Sequence, residues 1–161
     1  DNPGRLRRWD IGGVTALVDY AHNPGGIRAL AAVACALPAG RRLLVLGQAG
    51  NRDDAQLEAL ATAAWDALHP DHVILKEMPS DLRGRAPGEV SAVLRRALRA
   101  HRVSDDAMSD APDEVAAVRA AFAWARTGDL LVLPTHADKS GVSALLSQLS
   151  AAGWTPGDAL P

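Results

Sequence analysis

Asp19-Tyr20-Ala21-His22-Asn23-Pro24 decides how this chain folds. Before it stands Val14-Thr15-Ala16-Leu17-Val18, a β-branched and apolar run of strand character; after it, from Gly25, comes a helical pattern. A polar cluster therefore sits where a buried strand ends and a helix begins. In an open α/β sheet, ligands bind at the carboxyl ends of the strands. An Asp at that position can accept hydrogen bonds from a ribose, and a His and an Asn add groups able to reach a phosphate or an acceptor. Pro24 suits the first helical position, where its missing N–H would have no partner anyway.

Working outward, runs of strand and helix character alternate. Strands are expected at Arg8–Ile11, Val14–Asp19, Arg42–Leu46, His72–Lys76 and Asp129–Leu133, and helices at Gly25–Leu37, Asp53–Leu68, Pro87–His101, Pro112–Arg126 and Lys139–Ala152. Leu43-Leu44-Val45-Leu46 and Val73-Ile74-Leu75 read as strands buried on both faces, which implies a mostly parallel sheet with right-handed crossovers. The first strand joins the second through Gly12-Gly13, so an antiparallel hairpin at the sheet edge is expected. Val103–Ser109 has room for one further brief strand. Asp110–Glu114 offers a helix N-cap, and Gly128 suits a left-handed helix end. The tail Gly153–Pro161 reads as loosely attached, with Trp154 able to pack on the domain.

Composition narrows the function classes. The 161 residues suit one domain, 48% hydrophobic and only 4% aromatic, as in a helix-rich α/β fold. A net charge of −2 gives no electrostatic case for nucleic acid or a membrane surface. Cys35 is the single cysteine, read as a small buried thiol, and the histidines show no metal-site spacing. With no signal-peptide pattern, a cytoplasmic location is expected. The first residue is not methionine, as in a piece of a longer protein.

The Asp19–Pro24 string resembles the signature of the Mur ligase family, at the start of its C-terminal domain. Asn2-Pro3-Gly4-Arg5 with Trp9–Gly13 resembles that family's passage from the central domain. Gly47-Gln48-Ala49-Gly50-Asn51-Arg52-Asp53-Asp54 resembles its glycine-rich loop. Lys76-Glu77 with Arg83-Gly84-Arg85 and Gly88-Glu89 is similar to cyanophycin synthetases. The resemblance implies a Rossmann-like three-layer α/β domain over residues 1–153, with 154–161 as a tail. About six strands are expected, mostly parallel with one antiparallel edge strand, and helices on both faces.

It also implies roles. Arg5 and Asp19 would flank an ATP ribose, and His22 and Asn23 would face the nucleotide from the start of a helix. Arg52 and Asp54, with Glu77, Asp81, Arg83 and Arg85, would line the site of the incoming amino acid. Arginine is the amino acid that the cyanophycin resemblance names, and Glu77 and Asp81 are the carboxylates a guanidinium would seek. A strand-to-helix turn capped by Asp53 and a solvated loop of mutually paired charges are the competing readings of these two stretches. The glycine loop is neither a Walker A loop nor a dinucleotide fingerprint. The expected function is ATP-driven amide formation between a carboxylate and an amino group. The domain would close over ATP, with Mg2+ held mainly by a preceding ATPase domain, and would have no turnover alone. A folylpolyglutamate synthetase-like or peptidoglycan ligase is the nearest alternative. A non-catalytic nucleotide-binding module is the other.

Overall fold

The computed structural model describes residues 5–161. Six strands form one sheet: β1 (Arg7–Ile11), β2 (Val14–Asp19), β3 (Arg42–Leu46), β4 (His72–Lys76), β5 (Met108–Ala111) and β6 (Leu130–Pro134). Five helices alternate with them: α1 (Pro24–Ala36), α2 (Asp54–Leu68), α3 (Glu89–Ala100), α4 (Glu114–Trp124) and α5 (Lys139–Ala151). The strand order is β1-β2-β6-β3-β4-β5. Only β1 runs antiparallel, pairing Arg7 with Val18 and Ile11 with Val14; β2, β6, β3, β4 and β5 are mutually parallel. This is the Rossmann-like α/β class expected from the sequence.

Alternation along each strand builds two cores. Leu44, Leu46, Val73 and Leu75 point to one face, where they meet Ile27 and Leu30 of α1, Leu57 and Leu60 of α2, and Leu94 of α3. Leu43, Val45 and Ile74 point to the other, against Val118 and Phe122 of α4 and Leu145 and Leu146 of α5. Crossovers α1, α2 and α3 advance the sheet along one face, and α4 returns on the other to insert β6 between β2 and β3. One handedness of crossover requires that division. All five parallel strands thus end at one edge, where the loops after β2, β3, β4 and β6 lie beside one another and Pro112-Asp113 joins β5 to α4.

Several expectations shift. The fifth strand is Met108–Ala111, later than the expected Val103–Ser109, because a 3-10 turn occupies Asp105–Ala107. Helix α4 stops at Trp124, and Gly128, with φ of 92°, serves the following turn, where Asp129 N–H donates to the Arg126 carbonyl. Cys35 is exposed, one step off the Ile27–Leu30–Ala34 face that α1 buries. The tail is not loose. Trp154 is buried edge-to-face on Phe122 at 5.4 Å, its indole N–H donates to the Asp158 carbonyl at 3.2 Å, and the Asp158 carboxylate accepts from Thr155 N–H at 2.9 Å. Gly12, with φ of 59° in the β1–β2 turn, lies against the Trp154 carbonyl, where a Cβ would come within 2.3 Å. No helix among the described residues is long and apolar enough to cross a membrane.

Candidate functional site at the carboxyl edge of the sheet

The first loop, 19–24, leaves β2 and enters α1. Asn23 is the cap: its Oδ1 accepts from Gly26 N–H at 2.8 Å. Asp19 is therefore released from capping. Its carbonyl accepts from Thr135 N–H at 2.8 Å, while its half-buried carboxylate stands at the strand end. The His22 ring is turned back, with Nδ1 3.1 Å from the Tyr20 carbonyl. Arg5 is exposed. Continuing the register that faces Arg7 to Val18 brings Arg5 level with Tyr20, one residue from Asp19. Asn2, Pro3 and Gly4, the rest of that stretch, lie outside the described residues.

The second loop, 47–53, leaves β3. Buried Gln48 joins it to the first loop: its amide NH2 donates to the His22 carbonyl, and its Oε1 accepts from Ala49 N–H at 2.8 Å. Asp53 caps α2 in a reciprocal box with Gln56, at 2.7 and 2.9 Å. Gly47 is needed because a Cβ would lie 2.5 Å from Cγ and 2.7 Å from the carbonyl of Lys76.

The third loop, 77–88, leaves β4. Glu77 accepts from the Ser91 hydroxyl of α3 at 2.7 Å. Asp81 accepts from Arg83 at 3.3 Å, and Arg83 is largely exposed. Arg85 reaches under the second loop and pairs with Asp54 at 3.0 Å. Gly50 N–H donates to the Asp81 carbonyl at 2.8 Å, binding the two loops along their main chains.

The fourth loop, 135–138, leaves β6. The His136 Nε2–H donates to the Ala21 carbonyl at 2.7 Å, which fixes the tautomer and leaves Nδ1 buried with no partner among the described residues. Burial, and next the nearby Lys76 charge, pull the His136 pKa down to about 4, so the ring is neutral at pH 7. Tyr20 stands exposed at the seam, 5.4 Å from the His22 ring and 5.6 Å from that of His136, with the Lys139 ammonium 3.8 Å from its centroid.

Beneath this edge lies a fully buried ion pair. Lys76 Nζ donates to Glu114 Oε1 at 2.5 Å and to the Pro134 carbonyl at 2.6 Å. Glu114, first residue of α4, also accepts from His136 N–H at 2.7 Å and Asp138 N–H at 2.6 Å. Burial alone would raise the Glu114 carboxyl pKa; the Lys76 ammonium and the two backbone donors outweigh it and hold the group below its usual value. Burial also pulls Lys76 down, against the attraction of Glu114. Both Glu114 oxygens accept from donors, Lys76 Nζ among them, an arrangement that favours the carboxylate beside an ammonium.

A cleft of about 140 Å³ opens between the first two loops and α2, lined by His22, Asn23, Pro24, Gln48, Arg52 and Gln56. Arg52 is its one permanent cation, suited to a carboxylate or phosphate. Of the residues singled out from sequence, His22, Asn23 and Arg52 meet at this cleft, and Asp19 ends the strand that leads into its first loop. Asp54 and Arg85 instead meet each other, and Glu77, Asp81 and Arg83 are spread along the third loop with protein partners. Sequence reasoning gave no role to Gln48, and it read Glu114 only as part of the capping stretch Asp110–Glu114. Neither the Lys76–Glu114 contact nor the Gln48–His22 contact is local in sequence. No group of three or more acids, histidines or cysteines among the described residues could hold a metal ion.

Comparison with known proteins agrees with this fold. Residues 4–134 match the family described as Mur ligase, glutamate ligase domain. A cyanophycin synthetase of Trichormus variabilis is 33% identical over 132 residues, covering 81% of this chain and 14% of that protein. A UDP-N-acetylmuramyl-tripeptide synthetase of a Roseiflexus species is 33% identical over 131 residues, covering 81% of this chain and 25% of the relative. The chain thus spans a quarter or less of the length of these relatives. In fold, it matches a UDP-N-acetylmuramoyl-L-alanyl-D-glutamate–2,6-diaminopimelate ligase with TM-score 0.75 at 20% identity, over 96% of this chain and 33% of that one. Escherichia coli FolC, in complex with ADP, superposes with TM-score 0.62 at 21% identity, over 94% of this chain and 32% of the other. A strand-end Asp beside a capped helix, a cleft bearing one arginine and a family match across most of the sequence lead to one conclusion: the chain belongs to the Mur ligase family, as its glutamate ligase domain.

Proposed function

We propose that this domain serves an ATP-dependent amide-forming ligase, closing over ATP and positioning the incoming amino acid. The carrying observation is Asp19: Asn23 does the capping, so the Asp19 carboxylate is left at the strand end for a ribose. Arg5, one residue away in register, supplies donors beside it. His22 and the amino end of α1 face the phosphate side. Arg52, alone among cations in the cleft, takes the carboxylate of the amino acid. FolC, which shares this fold, has been solved in complex with ADP. In such a ligase, ATP activates the acceptor carboxylate by phosphorylation, and the amino group then displaces phosphate; this domain contributes orientation and water exclusion. Mg2+ would be held mainly by a preceding ATPase domain of the same enzyme, and the isolated domain would have no turnover.

Arginine is the amino acid favoured by the relationship to cyanophycin synthetases. Glu77 and Asp81 are the carboxylates nearest in sequence to that role, although Ser91 and Arg83 already engage them. The test uses the full-length protein. ATP-dependent phosphate release is measured with each of the twenty amino acids, with and without an aspartate-rich peptide primer. Release confined to arginine plus primer supports the cyanophycin-type reading; release with another amino acid reassigns the substrate. Asp19→Ala should abolish release with folding intact, and unchanged release removes Asp19 from the site.

A further inference from the structure

The second loop holds its shape through a residue that it does not contain. Arg85, its side chain 15% exposed, points back from the third loop. Its Nε donates to the Gly50 carbonyl at 3.1 Å, its Nη2 to the Arg52 carbonyl at 2.7 Å, and its Nη1 meets the Asp54 carboxylate at 3.0 Å. Three edges of one rigid fork thus engage the two ends of the Gly50–Arg52 turn and the first residue of α2. Gly50 permits this approach, since a Cβ there would stand 1.9 Å from the Leu82 carbonyl. Arg52, in contrast, lines the cleft while its carbonyl is gripped from behind.

We propose that Arg85 is a positioning residue: it fixes the main chain of Gly50–Arg52 and thereby aims Arg52 at the carboxylate of the incoming amino acid. The role rests on Arg52 taking that carboxylate. Arg85 itself does not touch substrate, because its fork is spent on the protein. A lysine at this position keeps the charge but, as a point donor, cannot serve two carbonyls and a carboxylate together.

The test uses the full-length protein in two arms. In the first, steady-state kinetics of Arg85→Lys should show the KM for the amino acid raised roughly tenfold, with kcat and the KM for ATP within about threefold of wild type. In an Arg52→Ala background, Arg85→Lys should add nothing, since a residue acting only through another has no effect once that partner is gone. Independent, multiplicative effects of the two substitutions overturn the proposal. In the second arm, amide hydrogen exchange of Arg85→Lys should quicken at Gly50–Arg52 and stay unchanged in β3. Unchanged exchange at Gly50–Arg52 overturns the proposal whatever the kinetics. If the wild type turns over no amino acid, the ligase reading fails on that result alone, and exchange still decides whether the clamp exists.

Discussion

Glu114→Gln is the sharpest probe of what holds the binding edge together. Gln keeps the shape of Glu114, which is 2% exposed, but loses its charge beside fully buried Lys76. It also places an NH2 where a carboxylate oxygen had accepted an N–H: one oxygen serves Lys76 and His136, the other serves Asp138, and an amide can satisfy only one side. Removing one partner of a buried ion pair costs about 3–5 kcal/mol. A domain of this size has roughly 5–15 kcal/mol in total, and its Tm moves about 2–4 °C per kcal/mol, so the expected drop is on the order of 6–20 °C. Thermal and urea unfolding of the 161-residue chain would measure it. The pH dependence has a definite sign. The Glu114 pKa is depressed on folding, so its stabilisation is present above the usual carboxyl value of 4.5 and fades as the pH falls below it. The gap between wild type and Glu114→Gln should therefore be widest near neutrality and narrow in acid. Lys76→Met combined with Glu114→Gln should be more stable than Glu114→Gln alone, because it removes the stranded charge. A loss under about 1 kcal/mol at pH 7, unchanged in acid, would refute the buried pair.

Three further outcomes are expected. The His136 ring, with a pKa near 4 against a usual 6.5, should show no protonation above pH 5 in an NMR titration. Because that pKa is lowered on folding, stability should decline as the pH drops from about 6.5 to 4, by up to ~3 kcal/mol, and His136→Gln should flatten that window in unfolding curves. Gly50→Ala forces a methyl into the Leu82 carbonyl; it should cost about 1–3 kcal/mol in urea unfolding and raise the KM for the amino acid in the full-length protein.

The fold was legible because its signals are local. Leu43–Leu46 and Val73–Leu75 are apolar at every position, as only a strand between two helical layers needs to be, and Asp53 announces α2 through a box closed within four residues. The edge strand Met108–Ala111 was misplaced because only Met108 and Ala111 are buried, so it lacks the apolar run of its neighbours. At the site, Asp19 and Arg52 could be picked out by their places after strands. The Lys76–Glu114 pair spans 38 residues, and the Arg85 grip on Arg52 spans 33. Such contacts depend on which loops the strand order sets side by side, and a single sequence does not print that. The tail is a milder case. Trp154 packs on the domain against Phe122 as its sequence allowed, and it is the rest of the tail, held through Asp158, that the expectation of a loose end missed.

The stitching of the four loops bears on how such domains can be altered. His136 is fastened to Ala21, Gln48 to His22, and Arg85 to Gly50 and Arg52, so no loop at this edge is a self-contained cassette. A chimaera given only a foreign 77–88 segment would inherit a turn at Gly50 shaped for a fork that the donor loop need not carry. Exchanging either loop between relatives thus calls for transplanting residues 47–54 and 77–88 together, as one matched set.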